Sequence, residues 1–188
     1  MPSTVKDWSS WVHHNVAAPS VTLRLGKWAR WAGRRVAQGE LYGVRQDEEA
    51  LTSSLLLDLL RDLPDLRVRT LSHHEEATDG ADWEWWIQGA TRWFGALIQA
   101  KRLSPDGTYG FNYTTKPSKR NPKPQRQIDS LIETARWLNI PPLFVLYNDT
   151  GNPRRQLSSP RCRQQKLLPA AASGVTVLDA FTARCMRP

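Results

Sequence analysis

The chain has 188 residues, 40% of them hydrophobic and 23% charged, which suits one globular domain able to bury a core of its own. It has no run of about 18 apolar residues to make a transmembrane helix, and residues 1–10 lack the apolar stretch of a secretory signal. The net charge of +8 favours polyanionic partners through phosphate contacts, although a basic surplus also serves plain solubility.

Two cysteines, Cys162 and Cys185, are too few for a disulfide framework and lack metal-ligand spacing, so a cytoplasmic protein with reduced thiols is expected. The basic charge gathers in three clusters, at 24–35, 116–126 and 154–166, with an acidic stretch at 47–84. The organisation expected is a single domain with a core at 47–147, a helical extension at 1–46 and a C-terminal addition at 148–188.

In chain order, Leu23, Trp28, Trp31 and Val36 recur at near-helical spacing within 21–38, with arginines on the other face. Residues 47–63 form a stronger helix. Leu51, Leu55 and Leu59 make one apolar line, with Leu56, Leu60 and Leu63 beside it. Asp47, Glu48 and Glu49 fall where the helix dipole favours negative charge, and Pro64 ends the element. Leu66, Val68 and Thr70 then alternate with arginines as a half-buried strand.

After the Asp79-Gly80 turn signal, 81–88 reads as a second strand, rich in tryptophan, and 93–101 as a third, mostly apolar and therefore central. The three strands on short connections predict a meander. Residues 104–124 read as a long basic loop, 125–138 as a helix and 143–147 as a buried strand. A polar, basic segment at 148–165 precedes a short strand at 175–178 and a short helix at 179–184. This order predicts an α/β sandwich with helices on the faces of the sheet.

Polar residues on apolar strands carry the chemical signal. Gln99 and Lys101 are two apart, so both point to one face of the third strand while Ala100 points to the other. Buried polar groups need partners, and Asp82 at the start of the preceding strand is placed to supply one. Carboxylate and amide oxygens beside a lysine make a site for a hard cation such as Mg2+ or Mn2+. The bland alternative is a structural ion pair between Lys101 and Asp82 at the edge of the sheet.

Asp82 followed by Gln99-Ala100-Lys101 resembles the signature of the PD-(D/E)XK nuclease superfamily, in a QXK form. The order of elements over 47–147 is similar to that superfamily's restriction-endonuclease-like αβββαβ core. The local sequences GADWEWW and IQAKRL resemble a family of small uncharacterised prokaryotic proteins placed in it. The resemblance implies a metal-dependent endonuclease, acting on DNA before RNA, in a setting such as phage defence, a toxin or a mobile element. In that scheme Asp82 is the bridging metal ligand, Gln99 gives its amide oxygen and Ala100 its backbone carbonyl. Lys101 orients the attacking water and stabilises charge at phosphorus, and Glu49, or alternatively Glu48, supplies the carboxylate of the first helix.

Glu84, Glu76 and Gln127 are accessory candidates, Glu84 because it shares the strand face of Asp82. Arg102 and the loop residues Lys116, Lys119, Arg120 and Lys123, beside Tyr109, Phe111 and Tyr113, are candidate nucleic-acid contacts. Glutamine at 99 departs from the acidic residue usual there. It removes one negative charge, so the alternative is an inactive module that binds nucleic acid or an acidic protein. Cutting both strands of a duplex with one small domain calls for two active sites, so a homodimer is one option and the sequence leaves the oligomeric state open. The pairs His13-His14 and His73-His74 make poor chelates if extended, since neighbours then point apart. Trp83, Trp85, Trp86 and Trp93 are expected to fill the core or cover the sheet.

Overall fold

The apolar run around residue 97 becomes the centre of a five-stranded sheet, because its side chains can be buried on both faces. The computed structural model describes residues 19–104, 108–111, 113–115, 124–148 and 174–185. Its elements are α1 (Pro19–Leu41), α2 (Glu48–Asp62), β1 (Leu66–Thr70), α3 (His73–Asp79), β2 (Trp83–Gln88), β3 (Trp93–Arg102), β4 (Thr114–Thr115), β5 (Gln125–Arg126), α4 (Gln127–Leu138), β6 (Pro142–Tyr147), β7 (Val175–Asp179) and α5 (Ala180–Cys185). The chain is mixed α/β, with sheet order β1-β2-β3-β6-β7 and a separate two-stranded ladder of β4 and β5.

β1, β2 and β3 pair antiparallel, so the meander forms. β3 and β6 run parallel, which demands a crossover, and α4 lies within it. β7 closes the far edge antiparallel to β6. Side chains on the two faces join different cores. Trp83, Ile98, Ala100, Val145 and Tyr147 pack with Trp28 and Val36 of α1 and with the leucines of α2. Leu97, Phe144 and Leu146 pack with Ile128, Leu131 and Ala135 of α4 and with Ala180 and Ala183 of α5.

In α2, Leu51, Leu55, Leu56 and Leu59 are buried, whereas Asp47 makes no side-chain cap bond. Each buried leucine contributes about 2 kcal/mol and first-turn charge about 0.5 kcal/mol, so packing rather than capping holds this helix. Leu60, expected in the apolar stripe, is 41% exposed, and Leu63 is buried just beyond the helix.

The meander differs from expectation in one respect. The β1–β2 connection is not a short turn but contains α3, with a capping box between Ser72 and Glu75 and a left-handed cap at Gly80. His73 and His74 are therefore helical and exposed rather than extended. His13 and His14 lie outside the described residues. Among the tryptophans, Trp83 is fully buried and Trp85 and Trp86 are partly buried, but Trp93 is 46% exposed and does not serve the core. No described helix is long and apolar enough to cross a membrane.

Candidate active site

β3 positions the site. Leu97 faces the α4 side of the sheet, so Gln99 and Lys101, in phase with it, leave the strand toward that side. β2 begins beside them, where the backbone N–H of Asp82 donates to the Ile98 carbonyl at 2.8 Å. That bond sets the Asp82 carboxylate against β3. Its Oδ2 accepts from the Ala100 backbone N–H at 2.6 Å and from Gln99 Nε2 at 2.7 Å. Gln99 Nε2 also donates to the Ala100 carbonyl at 3.2 Å. Gln99 is fully buried, and its Oε1 has no hydrogen-bond partner among the described residues. Asp82, Gln99, Ala100 and Lys101 thus come together as the sequence suggested.

The carboxylate of α2 that reaches this cluster is Glu48. Its Oε2 accepts from the Arg102 backbone N–H at 2.7 Å, and its Oε1 lies 3.6 Å from Lys101 Nζ. Glu49, the first choice from sequence, is exposed and does not line the cleft, so of the two glutamates the structure brings Glu48 to the cluster. The physical reason is position. The first residue of α2 abuts the C-terminal end of β3, and the second is turned about 100° around the helix.

The charges are strained by burial. Desolvation raises the Asp82 pKa to about 7; the Ala100 N–H and Lys101 oppose the shift, while Glu76 and Glu48 add to it. Burial also raises the Glu48 pKa, against the pull of Lys101 and the Arg102 N–H. Lys101, whose side chain is 13% exposed, is the cation that both carboxylates share.

A cleft of about 540 Å³ opens beside this cluster, with walls that include Glu48, Glu76, Lys101, Arg102, Tyr113 and Gln127. Asp82, Gln99 and Ala100 do not line it. Glu76 of α3 and Gln127 at the start of α4 meet across the cleft, with Gln127 Nε2 donating to Glu76 Oε1 at 3.2 Å. Glu84 does share the strand face of Asp82. Its Oε1, however, accepts from Arg69 Nη1 at 2.7 Å and its Oε2 from Trp86 Nε1 at 3.3 Å, so it serves the sheet and not the cleft.

The Arg102 side chain is 8% exposed and ion-paired with Glu40 of α1 at 2.5 Å, and it lines the cleft. Lys116, Lys119, Arg120 and Lys123 lie outside the described residues. Sequence reasoning missed Glu40 and the cleft residue Arg45. Nothing in their local pattern separates them from surface charges, because their role depends on where α1 meets β3.

A family model described as a family of unknown function (DUF6615) matches residues 23–187. The chain belongs to that family. No curated protein matches it. In this DUF6615 chain, no three His, Cys, Asp or Glu side chains converge to hold a metal ion among the described residues. A hard cation here would draw instead on a mixed donor set: the Asp82 and Glu48 carboxylates, the Gln99 amide oxygen and the Ala100 carbonyl. The orphaned Gln99 Oε1 fits such a group, since a buried acceptor with no donor lacks the positive partner that a cation supplies.

Proposed function

We propose that this chain is a divalent-metal-dependent phosphodiesterase acting on nucleic acid, DNA before RNA, with a restriction-endonuclease-like core of the PD-(D/E)XK type. The observation that carries the reading is the convergence of Glu48, Asp82, Gln99 and Lys101 at the end of β3, beside an open cleft. The element order supports it as well. A helix, a three-strand meander, a crossover helix and a parallel strand follow one another, with α3 inserted.

Asp82, Gln99, the Ala100 carbonyl and Glu48 would hold Mg2+ or Mn2+. When bound, the metal supplies Lewis acidity toward a phosphoryl oxygen and toward water. The chain's own residues do the remaining work. Lys101, held by Glu48 and presented to the cleft, stabilises negative charge that grows on the phosphorus centre. Glu48 keeps Lys101 pointed at that position, and Glu76 and Gln127 line the same cleft.

The test is incubation of the purified protein with supercoiled plasmid in Mg2+, Mn2+ or chelator. Metal-dependent nicking is expected, reduced about 100-fold or more by Lys101→Ala. Glu48→Gln should lose most of it and Glu49→Gln almost none. Full activity in Lys101→Ala would exclude the reading.

One observation favours a second reading, a nucleic-acid-binding module without catalysis. Both hydrogen bonds to Asp82 Oδ2 come from β3, and glutamine takes the place of a third acid. That reading expects binding indifferent to chelator, and no turnover with either metal.

A further inference from the structure

We propose that the cleft takes one unpaired base against the ring of Tyr113, so that its ligand is single-stranded nucleic acid. The proposal rests on the reading of the site as one for a phosphodiester. It adds what the neighbouring group must be.

Three aromatic residues follow β3 in the chain, and the structure treats them differently. Phe111 packs edge-on against Phe144 of β6, with ring centroids 5.0 Å apart, and Tyr109 lies against Phe111 at 5.9 Å. Both join the core on the α4 face. Tyr113 does not: its side chain is 60% exposed, and it forms part of the cleft wall that also contains Lys101.

The exposure is not that of a loose loop. The Tyr113 carbonyl accepts from the Gln127 N–H at 2.8 Å, and the next residue, Thr114, pairs with Arg126 in the β4–β5 ladder. The backbone that carries the ring is therefore fixed to the start of α4. A large ring carried on an anchored backbone, with its surface left in water, offers a face for stacking.

The occupant follows from charge and size. The cleft carries Lys101 and Arg45, and among the described residues Arg45 is tied by a solvent-exposed pair with Asp47 at 3.6 Å, the weak kind that a phosphate can displace. Asp47, Glu48 and Glu76 share the walls, which disfavours a dense track of phosphates. One phosphate at Lys101 with one base at Tyr113 suits this balance, and about 540 Å³ suits a nucleotide-sized group. In a duplex the base faces are covered by their neighbours, so a ring can stack only on a base that is unpaired or flipped out. Base stacking is also tolerant of sequence, so this contact selects strandedness and not site.

The test measures binding apart from cleavage. Fluorescein-labelled oligonucleotides of about 12 residues, as single-stranded DNA, single-stranded RNA and DNA duplex, are titrated with the full chain in chelator, and anisotropy is recorded. The native protein should prefer a single strand over the duplex, and the tighter of the DNA and RNA strands names the natural polymer. Tyr113→Ala should weaken single-strand binding about tenfold while leaving duplex binding unchanged, and Tyr113→Trp should restore it. Matching thermal melts of the variants check the fold. Equal loss for single strand and duplex, or no loss in Tyr113→Ala, would overturn the proposal. Failure of the nuclease reading would look different, as a Tyr113-dependent preference for single strands in a protein that cuts nothing with either metal.

Discussion

Asp82 is the residue on which the proposed chemistry most depends, and its carboxyl carries the largest effect of burial at the site. Burial lifts its pKa from the ordinary 3.8 to about 7, so the folded protein holds this proton more tightly than the unfolded chain does. The stability linked to it is complete below about pH 4 and is lost progressively as pH rises through 7. Asp82→Asn removes that dependence while keeping an acceptor for the Ala100 N–H and Gln99 Nε2. In metal-free urea unfolding, the stability of the Asn variant relative to the native chain should therefore rise between pH 5 and pH 8, by roughly 2 kcal/mol. A difference that stays flat with pH would show that burial does not raise this carboxyl. At this scale the sequence was informative about type and silent about choice. The spacing of Gln99 and Lys101 on a strand announced a shared face, and Asp82 was the evident partner. Glu48 and Glu49 could not be separated, because helical phase refers to the helix's own apolar stripe. Here the target is the N–H of Arg102, 54 residues away on another element.

Among the elements, α3 is the one that sequence reading passed over, and it supplies Glu76 to the cleft. The signal was present: Ser72 and Glu75 stand at capping-box spacing, and Gly80 follows as the left-handed stop. A turn signal and a helix C-cap use the same glycine, so from sequence alone the Asp79-Gly80 pair reads as a turn. Periodicity located the longer elements well, because their burial is one-sided or continuous. A seven-residue helix with no buried residue has no such stripe to show. Gly80 also fixes how α3 meets α4. Its φ is +71°, and a Cβ there would lie 2.3 Å from the Gln127 carbonyl oxygen and 2.6 Å from the Leu131 nitrogen. Gly80→Ala should then cost about 3 kcal/mol in urea unfolding, from left-handed strain plus displacement of a helix backbone. Because Gln127 holds Glu76, the same variant should loosen the cleft wall. A loss below about 0.5 kcal/mol would mean that α3 is not seated on α4 as described.

At the scale of the molecule, charge is divided between two parts of the chain. The described residues contain fifteen lysines and arginines and fifteen aspartates and glutamates, so the whole +8 surplus belongs to stretches outside them. Within the described part many cations are already matched: Arg24 and Lys27 by α2, Arg69 by Glu75 and Glu84, Arg102 by Glu40, Arg126 and Arg184 by Asp129. The basic cluster that the sequence marks on α1 is thus partly spent on holding α1 to α2, a cost that composition alone could not reveal. In the sequence, part of the surplus is the group Lys116, Lys119, Arg120 and Lys123. It lies between Thr115 and Gln125, both in the β4–β5 ladder, next to Tyr113 of the cleft wall. Each phosphate neutralised on a single strand adds about 0.7 to the slope of log affinity against log salt. Replacing all four with glutamine should therefore lower that slope by roughly 3 and leave the tenfold effect of Tyr113→Ala in place. An unchanged slope, measured by anisotropy across a salt series in chelator, would assign these charges to solubility alone.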